Sequence, residues 1–131
     1  MIIEQALMTK LNAIAALTAL VSTRIYFVKA GHQDEETPYL IIQKISAPRG
    51  HTHDGPDGSV QSRFQFSAFA TTYKGCKDIL EAVRGGIDGS SGLWSTVQIG
   101  FCDYDNETDL WDEETGLFGL AADYLIMYLE V

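Results

Sequence analysis

The alternation of apolar and polar residues between Ser59 and Ala70 constrains the fold more than any other feature of this chain. The run reads S-V-Q-S-R-F-Q-F-S-A-F-A. One parity carries Val60, Phe64, Phe66, Ala68 and Ala70, and the other carries Gln61, Arg63, Gln65 and Ser67. Because successive side chains of a strand point to opposite faces, this period predicts a β-strand. One of its faces is expected to be buried, and the other to lie in water or in a polar contact.

Other segments also predict strands. Tyr39, Ile41 and Ile45 share one parity of the run from Pro38, and Leu40, Ile42 and Lys44 share the other. The last third of the chain predicts two strands, and a short one is expected near the beginning; their ranges are Leu93–Tyr104, Leu117–Glu130 and Arg24–Val28. Short connections between such strands favour antiparallel pairing.

Two segments have the three- and four-residue spacing of amphipathic helices. Residues 2–21 carry one apolar stripe, formed by Ile3, Leu7, Leu11, Ile14, Leu17 and Val21. A second helix is expected to start at a threonine cap at Thr71 or Thr72 and to end at Gly85-Gly86.

The predicted architecture is a single α+β domain over residues 1–131. It is a two-layer sandwich in which a mainly antiparallel sheet of about four to five strands carries two helices on one face. The second face is not very polar, which suggests self-association. The strand residues that give it this character are Leu40, Ile42, Phe69, Leu125, Met127 and Leu129.

Charge and cysteine content exclude several functions. Acidic residues outnumber basic ones 18 to 9, and no cluster of Lys and Arg is present to neutralise phosphates, so sequence-specific nucleic-acid binding is not expected. Cys76 and Cys102 lie among apolar neighbours and are expected to be buried free thiols in a reducing compartment. Neither a signal peptide nor a membrane span is evident, so the chain is expected to begin in a cytoplasm.

The run G-H-T-H-D-G-P-D-G at residues 50–58 contains metal-ligating residue types, namely His51, His53, Asp54 and Asp57. A zinc site needs three or four ligands on rigid elements, and this run offers few rigid partners. Its glycines and proline are typical of a turn, and it joins two strand candidates. A hairpin loop tip or a subunit contact is therefore the favoured interpretation, and a metal site and proton chemistry are the alternatives.

The acidic run between residues 103 and 114 resembles a calcium loop in its spacing. Asp103, Asp105, Glu107, Asp109 and Glu114 fall at ligand positions of an EF-hand count. Thr108 stands where that loop requires glycine, and the flanking segments predict strands rather than helices. The favoured interpretation is a solvated, negatively charged connection in which Trp111 is a contact anchor. A calcium-binding module is the alternative.

No motif predicts catalysis. The chain lacks a nucleophile elbow, a P-loop and a dinucleotide-binding glycine turn. The chain is expected to be neither an enzyme nor the carrier of a cofactor.

Several segments, taken in order, resemble one protein family. They are I-I-E-Q-A-L-M-T-K-L, T-P-Y-L-I-I-Q-K-I-S, H-D-G-P-D-G followed by S-R-F-Q-F-S-A-F-A-T-T-Y, L-E-A-V-R-G-G-I-D-G, and N-E-T-D-L-W-D-E-E-T-G-L-F. This order resembles the small tail-completion proteins of long-tailed bacteriophages, also called tail terminator or tail-to-head joining proteins. The resemblance covers nearly the whole chain. Another phage neck component of similar size remains an alternative.

The resemblance implies a structural protein that forms a ring, usually a hexamer, at the head-proximal end of the tail tube. It implies that the ring ends tube polymerisation and joins the tail to the head. The implied partners are further copies of the chain, the major tail tube protein and a head-completion or connector protein, with DNA passing through the ring. The implied location is the host cytoplasm during assembly and then the tail or neck of the virion.

A ring requires two different contact patches on each subunit. The 50–58 run and the acidic run are predicted to supply them, and the acidic run is also a candidate for the lining of the ring's channel. The residues proposed for subunit or partner contacts are His51, His53, Asp54, Asp57, Arg63, Asp109, Trp111 and Glu114.

Overall fold

A computed structural model describes residues 2–22, 24–27, 38–47, 49–52, 55–112 and 116–129. For residues 49–52, 55–57 and 111–112 it describes the backbone only. Its helices are α1 (Ile3–Asn12), α2 (Ala15–Val21) and α3 (Tyr73–Ile87). Its strands are β1 (Ile25–Phe27), β2 (Tyr39–Ser46), β3 (Arg49–Thr52), β4 (Gly55–Ala70), β5 (Gly92–Trp94), β6 (Val97–Asp112) and β7 (Leu117–Leu129).

The N-terminal helix predicted over residues 2–21 is interrupted. α1 ends at Asn12, and Ile14 has an extended backbone, with φ −84° and ψ 103°, before α2 begins. The predicted apolar stripe is otherwise correct, because Leu7, Leu11, Leu17 and Val21 are all buried. The break lets the side chain of Ile14 pack against α3 at Gly86.

The predicted sheet had too few strands and lacked the parallel pair that the structure contains. Within the described residues the observed sheet has seven strands in the order β1-β2-β4-β7-β6-β5, and β3 pairs with β4 off this path. β1 pairs with β2 in parallel, from Ile25↔Leu40 to Phe27↔Ile42, so the sheet is mixed. A parallel pair needs a long connection rather than a tight turn. The polar segment between Phe27 and Tyr39 provides that length. Antiparallel pairing was predicted from the short connections alone.

β4 lies at the centre of the sheet, and the alternation predicted for it is confirmed. Phe64, Phe66 and Ala68 are fully buried, whereas the opposite parity is partly exposed. The neighbouring strands keep the same parity, since Phe64 pairs with Tyr124 on β7.

All three helices pack on this buried face of the sheet. The two-layer arrangement is therefore present, with three helices rather than two. Leu40 and Ile42 were assigned to the second face, but both are fully buried in the helix-covered core. They pair with Ala68 and Phe66, whose side chains point the same way, so the β4 register decides their face. The second face, called the uncovered face below, still carries Phe69, Leu125, Met127 and Leu129.

The ends of α3 follow one prediction and contradict another. The Thr72 hydroxyl accepts a hydrogen bond from the Gly75 amide at 3.0 Å, as expected of a helix cap. The glycine pair does not end the helix, which continues to Ile87. Cys76 and Cys102 are buried free thiols, and burial raises the pKa of Cys102 to about 12.

Alanine at the two adjacent glycines is expected to have opposite effects on stability. Gly85→Ala meets nothing within 4 Å, and it should raise the free energy of unfolding by about 0.5–1 kcal/mol through helix propensity. A Cβ at Gly86 would lie 2.2 Å from the Cδ1 of Ile14. Gly86→Ala should therefore lower the free energy of unfolding by about 1–3 kcal/mol. Urea denaturation of both variants measures the difference, and equal stabilisation by both would contradict the packing of Ile14 on α3.

Candidate interaction surfaces

The run at residues 50–58 forms the end of a β-hairpin, and most of it is strand rather than loop. His51 pairs with Pro56 and Thr52 pairs with Gly55 across β3 and β4. β7 accompanies β4 only as far as the pair Ser59↔Leu129. The part of the hairpin beyond that pair, residues 51–52 with 55–58, is called the arm, and it extends past the last described residue of β7.

Residues 53–54 join the two strands of the arm in the sequence. The predicted contact residues His53 and Asp54 lie outside the described residues. Only the backbone is described at His51 and Asp57, which lie on β3 and β4. Gly58 has a φ of +83°, a conformation that favours glycine where the arm joins the sheet. A two-stranded ribbon of this kind gains little stability by itself, which fits a contact with another chain.

The acidic run is part of a strand, not a connection between strands. β6 continues to Asp112 and pairs with β7 from Asn106↔Asp123 to Asp112↔Leu117. The acids stand at every second position from 103 to 109, which is the period of a strand as well as of the EF-hand count. That alternation was the signal for a strand, but the low strand propensity of acidic residues obscured it.

This strand does not provide the geometry of a calcium loop. Along an extended chain, carboxylates two residues apart are separated by about 7 Å and cannot converge on one ion as a loop allows. Across the part of the chain that the structure describes, no three His, Cys, Asp or Glu residues are grouped as a metal site requires. Glu114, the last predicted ligand, lies outside the described residues, and only the backbone of Trp111 is described.

Side chains of α3 hold the acidic strand from the helix-covered face. Lys77 contacts Glu107 at 3.2 Å, and the Tyr73 hydroxyl donates to Asp109 at 2.9 Å. The hydrogen bond to Glu107 raises the pKa of Lys77, and the bond to Asp109 raises the pKa of Tyr73. The predicted contact residue Asp109 is therefore already engaged within its own chain.

Arg63 connects three strands on the uncovered face. Its guanidinium lies 2.5 Å from Asp105 on β6 and 3.5 Å from Asp123 on β7. A bulge in β6 between Tyr104 and Asn106 turns Asp105 toward this face. The second carboxylate oxygen of Asp123 is buried and has no hydrogen-bond partner within the described ranges. Arg63 is thus the cation that separates two carboxylates, a role that its sequence position alone did not indicate.

Replacing Arg63 with methionine is expected to lower the thermal midpoint, because Asp105 and Asp123 would then repel each other without a cation between them. Asp123→Asn added to Arg63→Met should recover most of the loss. Differential scanning calorimetry measures both effects. An unchanged midpoint in Arg63→Met would show that this ion group contributes nothing to stability.

The remaining described surface gives little sign of other chemistry. No helix in the described ranges has the length and apolar character needed to cross a membrane. The half-buried Tyr104 ring packs edge to face on the buried Tyr124 ring at 5.6 Å, and the Arg84 guanidinium lies 4.8 Å from the Tyr104 ring centre. The surfaces that stand out are accordingly the arm, the acidic strand and the uncovered face of the sheet.

Comparison with known proteins gives a match to a family model and matches to chains of solved structures. The family model described as Tail completion protein gp17 matches residues 5–129. A chain of the solved structure titled "Virion of native gene transfer agent (GTA) particle" shares the fold with a TM-score of 0.82 and 16% sequence identity. The match covers 97% of this chain and 94% of that chain. No curated protein sequence gives a significant match.

Proposed function

Because this chain belongs to the tail completion protein gp17 family, we propose that it forms a ring at the head-proximal end of a phage tail tube. The ring ends polymerisation of the tube and joins the tail to the head. The family is a structural, non-enzymatic one, and the chain is accordingly a structural component of a phage tail. The family match over residues 5–129 is the observation that carries the proposal.

The presence of two different candidate contact patches on the subunit supports a ring. Rings form through heterologous contacts, in which one patch of a subunit meets a different patch of its neighbour. The arm and the acidic strand are two such patches, and they lie on β3–β4 and β6, toward opposite ends of the strand order. In this proposal His51, His53, Asp54 and Asp57 contribute to the contact made by the arm. Asp109, Trp111 and Glu114 contribute to the contact made by the acidic strand and the residues that follow it.

The uncovered face supports a channel through which DNA passes. Asp103, Asp105 and Asp123 lie on this face with Arg63, so this group of four charged side chains has an excess of acid. A negatively charged wall repels phosphates rather than binding them. We place this face toward the channel, where it lets DNA slide past without retaining it. The proposed partners on the two sides of the ring are the major tail tube protein and a head-completion or connector protein.

Tube length is the direct test of this function. Purified major tail tube protein is polymerised with and without this chain, and tube lengths are measured by negative-stain electron microscopy. The expected result is shorter tubes that carry a ring at one end and attach to filled heads. Tubes that keep growing past the bound protein, at any ratio of the two proteins, would contradict the proposal. Assembly is proposed to take place in the host cytoplasm, before the protein becomes part of the virion tail or neck.

A further inference from the structure

One edge of the sheet is left partly unpaired on the side of β2 and β3. β1 pairs only with Leu40–Ile42 of β2. The exposed residues 43–46 of β2 and the backbone of β3 pair with β4 on their inner side. Across the described ranges no strand pairs with their outer side. This open edge is called the β2–β3 edge below.

The opposite edge of the sheet is open along the acidic strand. β5 pairs with β6 only at residues 97–99. The strand continues in unbroken register with β7 from Asn106 to Asp112. Among the described residues, no strand pairs with the outer side of 106–112, which is called the β6 edge below. Residues 106–110 are all exposed.

The two open edges differ in the sign of their charge. The β2–β3 edge contains Lys44, Arg49 and His51 and no acid, within the sequences Q-K-I-S and R-G-H-T. Lys44 is ion-paired with Glu4 of α1, so the charge of this edge rests mainly on Arg49. The β6 edge contains Glu107, Asp109 and Asp112 and no base, within the sequence N-E-T-D-L-W-D. Like edges from two copies would therefore place like charges opposite each other, which is unfavourable. Unlike edges would bring opposite charges together.

The β6 edge is also fixed in position before any partner arrives. Lys77 and Tyr73 hold Glu107 and Asp109 on one face, and Arg63 holds Asp105 on the other. Ordering a strand costs conformational entropy when it binds a partner. A strand that is already ordered while its outer hydrogen-bonding groups are open is suited to strand addition.

We propose that the β6 edge of one copy pairs as a β-strand with the β2–β3 edge of a second copy, so that the sheets of neighbouring subunits join. This contact is heterologous, because each copy uses a different edge on each side, and repetition of it closes into a ring when the rotation permits. It deepens the proposed function by naming the subunit contact of the ring, and it therefore rests on that function. The same geometry directs one sheet face of every subunit toward the inside of the ring.

The test reduces the negative charge of the β6 edge and replaces no residue of the ion pairs described above. Asn106→Lys with Thr108→Lys adds two cations at exposed positions that face away from α3. The control variant, Asn12→Lys with Ser91→Lys, adds the same charge at exposed positions outside both edges. Mass is measured by analytical ultracentrifugation over a range of protein concentrations and ionic strengths. The edge variant is expected to self-associate at least about tenfold more weakly than wild type, whereas the control should match wild type.

Two further measurements identify the edges themselves. Adding Arg49→Glu to the edge variant should recover part of the lost association, because opposite charges again face each other. Hydrogen exchange of the wild type should show slower exchange at residues 43–46, 49–52 and 106–112 in the assembly than in the monomer.

The possible results distinguish failure of this subunit contact from failure of the proposed function. A wild-type protein that stays monomeric at every concentration overturns the contact, as does a ring whose edge amides exchange as fast as those of the monomer. The latter result would leave tube termination standing. A protein that assembles through both edges but does not shorten tubes would refute the proposed function and retain the contact.

Discussion

Replacing Tyr124 with phenylalanine is expected to raise the free energy of unfolding by about 1 kcal/mol. Tyr124 is fully buried in the centre of β7, and its hydroxyl has no hydrogen-bond partner among the residues that the structure describes. Burial raises the pKa of Tyr124 well above its ordinary value, with a further contribution from the nearby carboxylate of Asp88. A buried hydroxyl without a partner has lost its bonds to water, so its removal relieves that cost.

Replacing the same residue with alanine should have the opposite and larger effect. The Tyr124 ring packs edge to face against Phe66 at 5.3 Å and against Tyr104 at 5.6 Å. Deleting a buried aromatic ring costs about 3–5 kcal/mol, which is a large part of the stability of a single domain. Tyr124→Ala should therefore be marginally folded, while Tyr124→Phe keeps every ring contact.

Thermal unfolding followed by circular dichroism distinguishes these cases. For a domain of this size, the phenylalanine variant should unfold about 3 °C above wild type. A midpoint below that of wild type would show that the hydroxyl has a hydrogen-bond partner in solution, such as an internal water molecule. Ser59→Ala is not a suitable control, because Ser59 makes a contact of its own. Ser91→Ala, at an exposed position, is suitable and should leave the midpoint unchanged.

The central strand was the part of the fold that the sequence predicted best. Val60, Phe64 and Phe66 alternate with polar residues because one face of β4 is buried and the other is not. The same physical cause produces both the sequence pattern and the structure, so the prediction was direct. The helical stripe of Leu7, Leu11 and Leu17 was predicted for the same reason.

Features that depend on contacts between distant segments were not predicted. The break at Ile14 depends on the space above Gly86, which lies on another helix. Which sheet face Leu40 and Ile42 occupy depends on their pairing with β4, because both parities of their own strand, β2, are apolar. The parallel pairing of β1 depends on where a long connection returns the chain, and composition does not determine that.

Two of the candidate surfaces were assigned the wrong local structure. Both polar runs were interpreted as loops because they are rich in residues that strands disfavour. Such residues are tolerated in β3 and β6 because these strands are open to solvent on one side. At an edge, charged residues also prevent unwanted pairing between identical strands. Their charge is thus more informative about partners than about secondary structure.

Shortening the arm is expected to abolish joining of tails to heads while the domain remains folded. In this variant the dipeptide Asn-Gly replaces residues 51–58, so only these two residues connect Gly50 to Ser59. The register of β3 shifts between Arg49 and His51, and the shortened hairpin keeps the Arg49↔Val60 pair on the near side of this shift. A two-residue turn between Gly50 and Ser59 is therefore expected to close the hairpin without changing the rest of β4. The replaced segment includes His51, His53, Asp54 and Asp57.

The expected loss of function is large because the variant removes both the proposed contact segment and half of β3. A contact segment worth about 2–4 kcal/mol corresponds to association that is about 30- to 1,000-fold weaker. The thermal midpoint should stay close to that of wild type, because the arm extends beyond the end of β7 rather than lying under the helices. Joining is measured by mixing purified tails, filled heads and either protein, and counting complete particles by electron microscopy.

The paired charge variants indicate which role of the arm is responsible for the loss. If the shortened protein no longer forms rings, the arm acts between subunits, and Asn106→Lys with Thr108→Lys should reproduce the defect. If rings still form but tails do not attach to heads, the arm contacts the tube or connector protein instead. A shortened protein that forms rings and joins heads as efficiently as wild type would exclude the arm from both contacts. The partner of the tail completion protein would then have to bind the helix-covered side or the uncovered face of the sheet.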